Sequence, residues 1–267
     1  MPDTRLRFKY WKLWTPADIT TLGWYDAQDA ATIVQATTPG RVSQWTDKGS
    51  AGTNHLLQAA AGNQPTTGAD NINGFNVLGF NGTAYFLAMG SNPFGASISN
   101  AALFMVLNTK SVAETKTTWS MTGSANAANR WQSHCPWAGT VYFDCGGTSG
   151  ANRVSYGAGW ADNKIALMSY YCSVIDSVQQ IYEGGTLKIG DATGHTVNTV
   201  GNPTIGSGAG GSETDTCAIG EVIIINGTVS TAIRQIIEGY LAWHWGLTGD
   251  LAASHPFKLA PPRLPAA

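Results

Sequence analysis

Short apolar runs recur along the whole chain, separated by clusters of Gly, Asn, Ser and Thr. They fall at 75–80 (FNVLGF), 84–89 (AYFLAM), 102–108 (ALFMVLN), 140–145 (TVYFDC), 164–175 (KIALMSYYCSVI), 178–183 (VQQIYE) and 218–225 (AIGEVIII). Many short strands with such punctuation predict an all-β sandwich or barrel. Within 140–145, Val141, Phe143 and Cys145 share one face while Tyr142 and Asp144 share the other, the pattern of a half-buried strand. The runs 102–108 and 218–225 are apolar on both faces and are the candidates for central strands covered on both sides.

One amphipathic helix is predicted at about 231–247. Ser230 or Thr231 can cap it, and Ile233, Ile236, Ile237, Tyr240, His244 and Leu247 recur at helical spacing, so this stripe must dock on the sandwich. Glu238 and Trp245, seven residues apart, share the polar face. Trp245 is then either covered by the chain that follows or offered to a partner. Gly246 and Gly249 supply a stop, and the Pro-rich tail 251–267 is expected to run extended over the surface. The stretches 57–74, 110–128, 146–163 and 190–217 read as long polar connections. No repeat of fixed period divides the chain.

Composition narrows the function classes. Of 267 residues 43% are hydrophobic and only 12% charged, about half the usual charged share, so the chain packs a large core. A net charge of −2 gives no basic field for nucleic acid. It is unevenly placed, because Arg5, Arg7, Lys9 and Lys12 against Asp3 give residues 1–14 a net +3 and leave −5 for the remainder. The alternation Arg5, Leu6, Arg7, Phe8, Lys9, followed by Trp11, describes a basic and aromatic N-terminal arm. Such a strand can add to a sheet edge of a partner, or form the first edge strand of its own sandwich. Thr15-Pro16 can begin a short helix between arm and body. No apolar run approaches the ~18–20 residues that cross a bilayer, so no membrane insertion is expected. The first residues, MPDTRLR, lack the apolar core of a secretory signal, and synthesis in a cytoplasm is expected. In that compartment Cys135, Cys145, Cys172 and Cys217 are read as buried free thiols in preference to disulfides. A hairpin turning at Pro136-Trp137-Ala138-Gly139 would set Cys145 opposite Arg130.

Catalytic motifs are sparse. Gly206 to Gly211 fits G-x-G-x-x-G, but a strand follows it where a dinucleotide site needs a helix. The five histidines form no metal-binding pair. Sandwich glycosidases need two carboxylates flanking the scissile bond, and no glutamate shares a strand with another carboxylate. No cofactor is expected. The only metal candidates are Asp26, Asp29 and Asp47, which could offer oxygens to calcium, although aspartates near turns commonly cap backbone amides.

Several segments together resemble the concanavalin A-like, laminin-G-type jelly rolls of tailed-phage virion proteins and bacterial surface proteins. They are Leu22–Ala27 (LGWYDA), Val42–Lys48 (VSQWTDK), Asn63–Pro65, Asn73–Gly74, Leu78–Gly82, Ile219–Ile224, Ile236–Leu247 (IIEGYLAWHWGL) and Ser254–Phe257, within about residues 15–262. Tyr25 and His244 depart from the residues common there. The resemblance implies a two-sheet antiparallel jelly-roll sandwich over 15–250 with the helix docked on it. It also implies a non-enzymatic virion structural protein, a capsid decoration or attachment protein on the particle surface. On that reading the chain is assembled in the host cytoplasm, bound to capsid or tail proteins through Arg5, Leu6, Arg7, Phe8, Lys9 and Trp11, and homo-oligomeric in the assembly. The alternative is a glycan-binding or host receptor-binding module, with Trp131, Trp137, Tyr142 and Trp160 as stacking platforms for a cell-surface glycan.

Overall fold

The computed structural model describes residues 12–124 and 126–264. Two large antiparallel sheets pack face to face, and the one α-helix among the described residues, Thr231–His244, docks on the outer face of one of them. The expected two-sheet sandwich with a C-terminal helix is therefore the observed one.

The first sheet runs Thr186–Asp191, Val178–Glu183, Lys164–Ser173, Asn100–Thr109, Cys217–Asn226, Phe75–Gly79 and Thr66–Ile72. Phe75–Gly79 pairs with only the first residues of Cys217–Asn226, and Gly23–Asp26 pairs with the next. The two runs apolar on both faces are neighbours at the centre of this sheet. Leu103, Met105, Leu107, Val222 and Ile224 point into the core between the sheets. Ala102, Phe104, Val106 and Ile223 point the other way and pack beneath Ile237 and Leu241 of the helix. The second sheet runs Arg153–Gly157, Thr140–Cys145, Trp131–Trp137, Trp119–Ser120, Thr204–Ile205, Leu87–Met89, Leu56–Leu57, Val42–Trp45 and Ile33–Gln35. Trp45, Trp119, Trp131 and Phe143 fill its inner face.

All four stretches read as polar connections hold strand residues, two of them only in short pieces such as Trp119–Ser120 and Thr204–Ile205. The longer strands Thr66–Ile72 and Arg153–Gly157 lie at sheet edges, each with one strand partner, apart from a single bridge between Thr66 and Arg41. An edge strand exposes side chains and backbone to water, which keeps its sequence polar and hides it from an apolar-run criterion.

The hairpin of the second sheet turns on two residues, Ala138 and Gly139, both with positive φ (47° and 80°), so that Trp137 faces Thr140. With a register shift between His134 and Trp137, Cys145 faces Trp131 and not Arg130. Cys145 points inward and forms a disulfide with Cys172 of the first sheet, while Cys135 and Cys217 are buried and free. The expectation of four free thiols is thus corrected for this pair: both inward faces bring a sulfur to the same place between the sheets. Alkylation of the denatured protein is expected to label two cysteines without reductant and four after reduction. Four labels without reductant would show the bridge to be unmade.

Ser230 caps the helix by accepting from the backbone N–H of Ile233 (3.3 Å). The helix stops at His244, short of 247. Gly246 takes φ +67°, and the N–H groups of Gly246 and Leu247 return to the carbonyls of Trp243 (3.5 Å) and Ala242 (2.7 Å), a Schellman closure. Two residues assigned to a polar face are buried. Glu238 is fully enclosed, and Trp245, just beyond the helix, lays its ring where a Cβ on Gly220 would sit, 2.6 Å away. Neighbouring Phe75 meets that ring edge-on at 6.1 Å.

The tail does not simply run over the surface. Phe257 packs on Gly239, His255 is buried, and Leu13 and Arg263 form an antiparallel bridge. Trp14 donates its backbone N–H to Pro262 (3.0 Å), and its side chain is buried against Tyr240. Residues 12–14 therefore belong to the body. Arg5, Leu6, Arg7, Phe8, Lys9 and Trp11 lie outside the described residues. The Thr15-Pro16 signal gives one 3-10 turn, Pro16–Asp18, in which Asp18 accepts from the backbone N–H of Thr15 (2.9 Å).

Candidate functional site

Strands Trp131–Trp137, Thr140–Cys145 and Arg153–Gly157 carry a polar groove on the outer face of the second sheet. Its register aligns Gln132 with Asp144 and Asp144 with Arg153 on one rung, and His134 with Tyr142 and Tyr142 with Ser155 on the next. Because side chains alternate across a strand, these residues share the face opposite the core. Connections bring Ala127, Arg130, Thr148 and Glu213 around them, and together with His134, Trp137, Tyr142 and Arg153 they enclose a cavity of about 390 Å³.

Asp144 organises the floor. Arg153 grips it with two donors, Nε to Oδ1 and Nη2 to Oδ2 (2.7 Å), and also lies over the Tyr142 ring at 4.6 Å. Arg130 Nη1 and His134 Nε2 each stand 3.7 Å from Oδ2. Burial raises this carboxyl, but Arg153 and His134 together outweigh it and hold Asp144 below the ordinary carboxylate range. His134 Nδ1 faces the Lys116 carbonyl at 2.9 Å, so that nitrogen carries a proton, and Nε2 faces the Gln132 amide nitrogen at 3.3 Å. The Trp137 ring meets the His134 ring edge-on at 4.8 Å. On the rim, exposed Glu213 adopts φ +48°, uncommon for a residue with a Cβ, and accepts from Thr117 Oγ1 at 2.6 Å.

Of the four stacking candidates, Trp137 and Tyr142 line this groove and are partly exposed. Trp131 is corrected: it is an inward residue of its strand, fully buried 5.0 Å from Trp119 and 5.2 Å from Phe143. Trp160 is half-buried elsewhere, its indole donating to Glu183 (3.1 Å). Asp144, Arg153, His134 and Glu213 were not singled out by the sequence. The alternation of 140–145 placed Asp144 beside Tyr142, but the partners come from separate strands and loops whose register no local pattern reveals.

The calcium candidates do not converge. Asp47 accepts backbone N–H groups of Trp24 (2.9 Å), Gly49 (2.8 Å) and Asn54 (3.3 Å), and Asp29 accepts from Ala31 (3.2 Å). Lys48 Nζ bridges Asp26 (3.1 Å) and Asp29 (2.7 Å). Among the described residues, the side chains that do come together are Asp26, Glu221 and His244, with ligand-type atoms within 4.8 Å of one another. They supply two carboxylates and one nitrogen where calcium takes six to eight oxygens, and Lys48 already holds Asp26. The cluster is read here as an ion-pair network beside a second cavity of about 590 Å³ walled by Trp14, Trp24, Phe75, Tyr240 and Trp243. Asp26 and Glu221 stand opposite each other in the ladder. Burial, and after it the charge on Asp26, push Glu221 up to about 7, while indole N–H groups of Trp24 and Trp245 donate to its two oxygens (2.7 Å each). Burial would lower His244, yet these two carboxylates raise it. No helix among the described residues is long and apolar enough to cross a membrane.

No family model matches the chain, and no curated protein matches it. Solved structures share its fold. Trypanosoma rangeli sialidase in complex with sialic acid is similar at 14% identity and TM-score 0.56, over 85% of this chain and 33% of that one. Domain 4 of AbnA, a GH43 extracellular arabinanase from Geobacillus stearothermophilus, in complex with arabinotriose, is similar at 11% and 0.54, over 80% and 96%. The botulinum neurotoxin serotype D ligand binding domain in complex with N-acetylneuraminic acid is similar at 11% and 0.52, over 84% and 52%. The chain thus spans nearly all of the arabinanase domain, about half of the toxin domain and a third of the sialidase. At such identities the likeness is one of fold, shared by binding domains and by parts of enzymes. None of the three comes from a phage particle.

Proposed function

We propose that the chain is a non-enzymatic, glycan-binding β-sandwich module that holds its ligand in the groove at Trp137 and Tyr142. The observation that carries this reading is an aromatic pair set among fixed donors and acceptors on an open sheet face. Sugar rings present apolar C–H faces to aromatic rings and hydroxyls to polar groups, and the groove offers both within one cavity. Three proteins that contain this fold at low identity are seen with sugars bound, which supports glycan binding over the capsid role that the sequence reading put first.

Binding without hydrolysis suits the carboxylates. Of the two carboxylates at the groove, Asp144 lies fully buried under Arg153, held ionised and with both oxygens engaged, which leaves exposed Glu213 without the second working carboxylate that hydrolysis needs. The carboxyls that burial pushes up, Asp215 to about 6 and Glu221 to about 7, do not line the groove.

A glycan array on the intact chain, followed by calorimetry on a hit, tests the reading. Trp137→Ala is expected to weaken that binding at least about tenfold, a loss of about 1.4 kcal/mol, with the unfolding midpoint nearly kept because the ring is partly exposed. An array without hits, or a hit indifferent to Trp137→Ala, would remove the groove from consideration.

A further inference from the structure

We infer that the groove selects uncharged oligosaccharides and rejects acidic ones, an inference that rests on the glycan reading above. Its charged lining is Arg130, Arg153 and Glu213, with Asp144 beneath. Two guanidinium groups meet two carboxylates, so the cavity carries no excess of either sign.

The arrangement matters more than the count. Arg153 spends its Nε and one Nη on Asp144, and Arg130 Nη1 faces the same carboxylate at 3.7 Å. Both cations are thus turned towards an anion that is itself buried. A ligand carboxylate or sulfate that paired bidentately with Arg153 would draw it from Asp144 and leave Asp144 enclosed without it. Removing one member of a buried pair in this way is strongly unfavourable. An acidic sugar would also bring its charge near Glu213, which is exposed on the rim and tied to Thr117. A cationic sugar has the converse difficulty, since both guanidinium groups line the same cavity.

Hydroxyl groups face neither obstacle. Each donates one hydrogen bond and accepts others. Thr148 and Glu213 can accept, and Thr148 can donate, while the Asp144 network stays closed. Stacking falls chiefly to Trp137, because Arg153 already covers the Tyr142 ring at 4.6 Å. The groove is therefore matched to a neutral sugar laid on one indole, with its hydroxyls among donors and acceptors of balanced charge.

The test uses the intact chain against two panels of matched length. One holds neutral arabino-, xylo-, gluco- and galacto-oligosaccharides, and the other holds sialylated, uronic acid-containing and sulfated glycans. Hits are expected in the neutral panel alone, to be lost in Trp137→Ala, with affinity changing less than about twofold between 50 and 500 mM NaCl because an uncharged ligand has no Coulomb attraction to screen. Acidic hits that vanish in Trp137→Ala and weaken about tenfold over that salt range would overturn the inference and leave the glycan reading standing. Silence in both panels would defeat the glycan reading itself, and the inference with it.

Discussion

Glu238→Ala is expected to lower the unfolding free energy by about 3–5 kcal/mol, the cost of breaking a buried ion pair from one side. The carboxylate is fully buried in the helix. It accepts from Arg234 Nη1 at 2.9 and 2.7 Å and from Ser169 Oγ of strand Lys164–Ser173 at 2.9 Å. His255 Nε2 of the tail stands 3.4 Å away. One side chain thus joins helix, sheet and tail. Truncation leaves an 11%-exposed guanidinium, stacked 3.8 Å over Tyr182, with no counter-charge from the helix. Glu238→Gln keeps an acceptor and should cost less. Urea titration reads both, as a fall in midpoint at constant slope. An unchanged midpoint for the alanine variant would mean that water replaces the carboxylate and the junction holds nothing.

The same residue shows where the sequence stopped being legible. Helical spacing located the helix and its docked stripe, because Ile237 and Leu241 answer to one neighbouring sheet. It could not show a second cover. The tail lies over the far side, with Phe257 on Gly239 and its carbonyl accepting the Trp243 indole N–H at 2.8 Å. A face with Glu238 on it looks solvated until that cover is seen. Central strands were legible from double-faced apolarity, whereas the edge strands Thr66–Ile72 and Arg153–Gly157 were not. The groove suffered most. Tyr142 and Asp144 were correctly placed on one face, whereas Trp131 was grouped with Trp137, six residues away, an even spacing that a regular strand would keep on one face. The register shift between His134 and Trp137 separates them, sending one ring into the core and the other to the groove.

Glu221→Gln is expected to destabilise the protein most clearly at acidic pH, with the gap to wild type narrowing as pH rises from 5 to 8. Two indole N–H groups donate to the wild-type side chain, which clips Gly23–Asp26 and the end of the helix to Cys217–Asn226. An amide has one acceptor atom, so one indole donor loses its partner at about 1–3 kcal/mol. The pH dependence follows from linkage. Glu221 stands at about 7 when folded and near 4.5 when unfolded, so its contribution is full below 4.5 and is lost as pH climbs through 7. His244, raised from 6.5 by Asp26 and Glu221, is likewise lost as pH rises above that value. Asp26 is lowered from 3.8, so its contribution is lost only on acidification below this window. Wild type should therefore lose on the order of 1–3 kcal/mol between pH 5 and 8, and Glu221→Gln, which lacks one titration and weakens the other, should lose distinctly less. At about 2–4 °C per kcal/mol the difference is readable in melting curves taken across the range. Parallel pH profiles for the two proteins would show that Glu221 keeps one protonation state throughout, and that the opposed carboxylates of Asp26 and Glu221 are reconciled by Lys48 and His244 alone.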